Sequence, residues 1–202
     1  RFNADNPIAW MDLSYFYTLL AQTEKAVDSM RNALVLTNSN RLIIRAASRL
    51  FVHIGQPDRA KFILSLEATR RDPWLLSAEI AVSQVLNERS KNIKLGMTLS
   101  ESRKFSPLHI SELASALATV EFSENNLRQS KKLIKLSLKE PTENSIAQAI
   151  WLFPDYVNSQ ERKESLIDVP KAYEARTLDL TKLMKWEEAL VATKDWLMDE
   201  PF

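Results

Sequence analysis

Apolar residues near the start of the chain recur with helical spacing. Trp10, Leu13, Tyr17 and Leu20 fall at i, i+3, i+7 and i+10, one stripe of an α-helix. Asn6 suits the N-cap of that helix and Pro7 its first turn. The polar run Gln22-Thr23-Glu24 interrupts the pattern. A second stripe follows through Ala26, Val27, Met30, Ala33 and Leu34, and Asn38-Ser39-Asn40 closes it. Two helices of about 14 residues joined by a few polar residues lie antiparallel, so 7–40 predicts a helical hairpin. Ser14 is small enough to let its partner helix come close.

The hairpin repeats. Trp10, Leu13, Ser14, Tyr17, Ala21, Ala26 and Met30 return 34 residues later as Ile44, Ala47, Ser48, Phe51, Gly55, Ala60 and Leu64. A fixed period of this length predicts stacked helical hairpins, none of which buries enough apolar surface to fold alone. A second unit therefore occupies 41–73, with Pro73 as its end. Residues 74–104 predict a third, degenerate hairpin. Its first helix presents Trp74, Leu75, Ala78, Ala81, Val82 and Val85, and its return helix Ile93, Gly96, Met97 and Ser100. Residues 106–141 predict a fourth, with Ile110, Leu113, Ala114, Leu117 and Val120 facing Leu127, Ser130, Leu133, Ile134, Ser137 and Leu138. A half unit, 142–153, carries Ile146, Ala149, Ile150 and Trp151 inward. Pro154, Asn158 and the charges up to Glu164 predict a loop over 154–169, long for a helical connection. The pattern resumes over 170–201 with Tyr173, Leu180, Leu183, Trp186, Ala189, Val191 and Trp196.

In unit 7–40, Trp10, Leu13-Ser14, Tyr17, Ala26, Met30 and Ala33 resemble the signature of the tetratricopeptide repeat. Trp186-Glu187-Glu188-Ala189-Leu190 resembles its turn and second-helix start. The second unit departs from it at Ile44, in place of Trp, and at Glu67, in place of the second Ala. The resemblance implies an all-α fold, a right-handed α-α superhelix of about five hairpins filling 1–202 as a single solenoid, irregular near 154–169. It also implies that first helices line a concave groove. Trp10 is expected in the core, where Trp10→Ala would cost roughly 3–5 kcal/mol if the ring were fully buried.

Composition narrows the function classes. The two glycines, Gly55 and Gly96, are too far apart for a phosphate loop, a dinucleotide fingerprint or a nucleophile elbow. The absence of cysteine excludes disulfides, thiol catalysis and cysteine-ligated zinc. With no apolar run near the ~20 residues that span a bilayer, it points to a cytoplasmic setting. The ends, Arg1-Phe2-Asn3 and Pro201-Phe202, read as those of a fragment of a longer protein. His109 and Glu112 form a lone i, i+3 pair, where two-metal bundles need further acids on facing helices. Glu187 and Glu188, beside Lys182 and Lys185, read as a solvated face. No catalytic residue, metal or cofactor is expected, and the chain is read as non-enzymatic.

Candidate binding residues come from charge placement. The net charge of +1 gives no global field for a nucleic acid or a membrane, but 41–71 carries seven Lys/Arg against two Asp/Glu. Arg41, Arg45, Arg49 and His53 recur every fourth residue, so they share one helix face. By the register of the resemblance, Arg45, Arg49 and His53 face the groove beside Met11, Tyr15 and Thr18 of the first unit. A guanidinium binds both oxygens of a carboxylate, so an acidic or extended peptide, a protein partner or another domain of the same protein is the expected ligand. The alternative is a solvated charge stripe, or arginines that pair with acids on the next helix. The family's known clamp for chaperone tails wants Lys and Asn at the positions held here by Met11, Tyr15, Arg45 and Arg49, so that ligand is not expected. A regulatory segment of a multidomain effector is the second reading, and an RNA-binding repeat the third. Lys131, Lys132, Lys135 and Lys139 are expected to be solvated on an outward helix.

Overall fold

The computed structural model describes residues 3–66, 71–157 and 173–199. All regular structure among them is helical, and no described helix is long and apolar enough to cross a membrane. The helices run α1 Pro7–Leu19, α2 Thr23–Leu36, α3 Arg41–His53, α4 Pro57–Leu64 and α5 Pro73–Val85. They continue with α6 Ile93–Glu101, α7 Pro107–Ser123, α8 Leu127–Ser137 and α9 Glu143–Leu152. The last are α10 Pro154–Val157, α11 Tyr173–Lys182 and α12 Trp186–Asp199.

Five of these helices begin alike. Asn6, Asn40, Asp72, Ser106 and Thr142 each accept hydrogen bonds through the side chain from backbone N–H groups of the first turn. Those groups have no partner within the helix, so each such cap stabilises by ~1 kcal/mol. Proline follows the cap at Pro7, Pro73 and Pro107, where its missing N–H costs nothing. Pro73 thus opens α5 and does not end the second unit. Residues Glu67 and Ala68, on which that unit's departure from the repeat signature turned, lie outside the described residues.

Four of these five helices, and α11, also end alike. Ala21, Gly55, Asn87, Asn125 and Met184 all have φ between 54° and 75°. In each case the next amide donates to a carbonyl five residues back: Gln22 to Tyr17, Gln56 to Phe51, Glu88 to Ser83, Asn126 to Glu121 and Lys185 to Leu180. This is the Schellman turn, which satisfies the carbonyls left over at a helix end and favours a left-handed residue. It marks α1, α3, α5, α7 and α11 as first helices. The interval between turns is 34 residues from Ala21 to Gly55. It widens at α7, which has 17 residues against 13 in α1, α3 and α5, one extra helical turn.

The chain divides into two compact units. The first holds α1–α5 with the last residues of α12, and the second begins at Ser90 and extends to Trp196. The division falls between α5 and α6, inside the expected third hairpin.

In the first unit α1 pairs with α2, and α3 with α4. Neighbouring hairpins meet through α2 on α3 and α4 on α5, and through first helices, α1 on α3 and α3 on α5. Met30, Ile43, Ile44 and Leu50 form the fully buried centre. Trp10 packs on this core but is only half-buried, and its Nε1–H donates to the Ala4 carbonyl at 2.8 Å. The loss on truncating it is correspondingly below that of a fully buried ring. Lys25 lies 5.5 Å from the centre of the Tyr17 ring and Arg59 5.8 Å from that of Phe51. Both cation and ring shift by the repeat period. In α5 burial is nearly continuous from Pro73 to Ile80, while Ala81 and Val85 are exposed, against the sequence expectation.

In the second unit α7 is the central helix, with α6, α8 and α9 packed on it. Its predicted inward residues, Ile110, Leu113, Ala114, Leu117 and Val120, are all buried, as are Leu133 and Ile134 of α8. Leu127 is exposed. Helix α9 buries Ile146, Ala149 and Ile150 but leaves Trp151 63 % exposed. A helical stripe identifies a side, and at Trp151 no described neighbour covers it. The expected loop begins instead with a helical turn. Pro154 starts α10, which packs on α9 and buries Val157, while the rest of 154–169 lies outside the described residues. Helix α11 packs on α9. Of the last expected stripe, Ala189 is buried and Leu183, Trp186 and Val191 are exposed.

Buried serine hydroxyls join paired helices. In the first hairpin Ser14 is fully buried, and its hydroxyl donates across to the Ala26 carbonyl at 2.8 Å. In the fourth hairpin the roles exchange, with Ser130 donating back to the Ala118 carbonyl at 2.7 Å. Counted from the turn, Ala118 stands where Ser14 does and Ser130 where Ala26 does. The pair stays one serine and one alanine, so the backbones can approach and the hydroxyl is satisfied.

Candidate functional site

The sequence places six candidates on one side of the first helices of unit one. The structure separates them by their distance from the N-cap. Met11, Arg45 and Ser77 each stand five residues after the cap of α1, α3 and α5. Here Met11 and Ser77 are buried and Arg45 is half-buried. Met11 is 6 % exposed and belongs to the hydrophobic core, so it is a packing residue and not a groove residue.

Arg45 crosses from α3 to α5. Its Nη1–H donates to the Trp74 carbonyl, and to Ser77 Oγ at 2.9 Å. Its guanidinium carbon lies 4.9 Å from the centre of the Trp74 ring, and that of Arg41 lies 5.0 Å from it. Arg41 Nε also pairs with Asp72 Oδ2 at 3.2 Å. Asp72 meanwhile caps α5 through its other oxygen. Cation–ring contacts of this kind contribute ~0.5–2 kcal/mol, more when desolvated. Two of the four basic residues of α3 therefore tie one hairpin to the next, and the pairing with an acid on the following helix is realised at Arg41.

One turn further along from Met11 and Ser77, exposure rises. Tyr15, Arg49 and Ala81 each stand six residues before the left-handed turn residue of their helix. Tyr15 and Arg49 are half-buried and Ala81 is exposed. His53 and Val85 stand two residues before the turn; His53 is exposed and Val85 is 56 % exposed. Thr18 is half-buried, and its hydroxyl donates to the Ser14 carbonyl in its own helix at 2.9 Å. The strip along these places is thus Tyr15, which also packs on the core, with Arg49, His53, Ala81 and Val85. Ala81 and Val85 were assigned to the core in the sequence, and only their equivalence to Arg49 and His53 around the turn could have signalled otherwise.

The strip offers one ring, one guanidinium, one imidazole and apolar surface. That set can hold a side chain or a carboxylate, and it lacks a paired nucleophile and base. Among the described residues no group of three His, Cys, Asp or Glu is placed to hold a metal ion. His109 is exposed at the start of α7, and its backbone amide donates to the cap Ser106. Lys185 and Glu188 form an exposed pair at 3.4 Å. Compared with protein-family models and with curated proteins, the chain matches none.

Proposed function

We propose that this chain is a non-enzymatic binding module of the tetratricopeptide kind, a superhelical stack of hairpins whose first-helix face takes a protein or peptide partner. The observation that carries this reading is the position of Tyr15, Arg49, His53, Ala81 and Val85. They hold equivalent places around successive turns of three adjacent first helices. A face built on packed helices is ordered before a partner arrives, so little conformational entropy is lost on binding. Its ligand is an extended segment with apolar side chains and a carboxylate, the latter for Arg49 and His53.

Site-directed photo-crosslinking tests the reading. A photoreactive residue at His53 or Val85 gives adducts with the partner in cell extract, and one at Val35, 85 % exposed on α2, gives none. Adducts from Val35 alone would place binding on the second-helix side and overturn it.

A further inference from the structure

The second unit carries a cationic stripe that the first-helix face does not use. Helix α8 places Arg128, Lys131, Lys132 and Lys135 within eleven residues with no acid among them, and Lys139 follows its end. All five are exposed. From Arg128 to Lys135 the stripe runs ~10 Å along the helix. Between Ser90 and Pro141 there are nine Lys/Arg against five Asp/Glu in a chain of net charge +1, so the stripe is a local excess.

Among the described residues, Asp155 stands beside Tyr156 in sequence, and three other acids nearby have partners. Glu101 of α6 approaches Lys132 at 3.7 Å, with both side chains more than 60 % exposed. Such a pair is worth little and is easily exchanged. Glu140 accepts from the Leu108 amide at 3.3 Å and is held toward the start of α7. Glu121 accepts from Asn126 Nδ2 at 2.6 Å. On the other side stands Tyr156 of α10, whose ring centre lies 5.5 Å from Lys131 Nζ and 5.8 Å from Lys135 Nζ. That contact gathers two ammonium groups beside one ring.

We infer that the α8 face, Arg128, Lys131, Lys135 and Lys139 with Tyr156, docks a short acidic segment of a partner protein. Charge complementarity selects an anion, and two features select carboxylates over a nucleic acid. Tyr156 is half-buried and already carries two cations, so it is no open platform for base stacking. Glu124 and Glu140 bracket the stripe in sequence, which suits a few carboxylates and opposes a continuous phosphate backbone. Alternate side chains of an extended peptide repeat at ~7 Å, and successive turns of α8 at ~5.4 Å. Flexible lysine stems bridge the difference. This surface is separate from the strip on α1, α3 and α5 and goes beyond it.

The test is fluorescence anisotropy at low ionic strength with a labelled hexaglutamate peptide. An oligothymidylate of equal charge and phosphatidylserine vesicles are run alongside. The expected result is peptide binding that weakens at least tenfold in the Lys131→Glu, Lys135→Glu variant, with unchanged circular dichroism. The Lys25→Glu, Arg59→Glu variant, equal in charge change, should bind like the unmodified protein. Failure of the unmodified protein to bind the peptide overturns the inference, as does equal weakening in both variants. So does tighter binding of the oligonucleotide or vesicles that is lost in the α8 variant. None of these outcomes bears on the crosslinks from His53 and Val85.

Discussion

Two joints between consecutive first helices solve one problem with different chemistry. Between α3 and α5 the joint is long and charged: Arg45 reaches Trp74 and Ser77, and Arg41 reaches Trp74 and Asp72. Between α7 and α9 it is short and built mainly of hydroxyls and amides, with one acid, Glu112. Ser111, five residues after its cap like Arg45, donates to the Ser137 carbonyl at 2.8 Å and lies 2.8 Å from Ser145 Oγ, 34 residues on. Asn144 donates to Glu112, and Gln148 to Thr119, along the same seam. The long joint stays half-exposed, whereas Ser111 and Ser145 are fully buried. A repeat thus fixes where neighbours must touch without fixing what touches. An arginine at such a place is a poor guide to a ligand site.

The contrast can be broken most easily at the buried joint. Ser111→Leu should destabilise the protein by about 3 kcal/mol, since it overpacks a filled site and leaves the hydroxyl's partners unpaired. A urea midpoint within error of the parent would show that the α7–α9 seam has room. At the charged joint Trp74→Ala should cost about 2 kcal/mol, less than a fully buried ring. A double-mutant cycle with Arg45→Ala should return a coupling of about 1 kcal/mol, and additivity there would mean that the stacking is incidental. Ala21→Gly and Met184→Gly should each raise stability by about 0.5 kcal/mol. Both residues are exposed, and both hold a left-handed conformation that glycine adopts without strain. Thermal melts that fall in both would contradict the turn geometry. Arg41→Ala, which loses a half-exposed pair and an exposed ring contact, should cost about 0.5 kcal/mol, and less in high salt.

These residues also show which parts of the fold were legible. Helix starts could be read because Asn6-Pro7 and Ser106-Pro107 are local chemistry, settled within one turn. The inward stripe of α7 could be read because it is covered on several sides by α6, α8 and α9. Asp72-Pro73 carries the same start signal, but the 34-residue count assigned Pro73 to the preceding unit; the local chemistry was the better guide. Trp151 and Val85 could not be placed, because periodicity names a helix side and is silent on whether anything packs there. The candidate site suffered most. Arg45 and Arg49 are four residues apart on one stripe, yet one turn of helix separates the place that meets α5 from the place where the equivalent Ala81 is exposed. That turn is decided by where the next hairpin sits, a long-range fact that no local pattern encodes.

The serine bolts of the first and fourth hairpins have a mechanical corollary. Ser14 to Ala26 and Ser130 to Ala118 each fasten two helices at one axial level, inside the hairpin and out of reach of water. Sliding one helix along the other would strand a buried hydroxyl and a carbonyl together. Each of these hairpins therefore moves as a stiff plank. Elastic strain imposed on either unit, by a partner or by pulling on the chain, is taken up outside these planks, at seams such as Arg45 with Trp74 and Ser111 with Ser145.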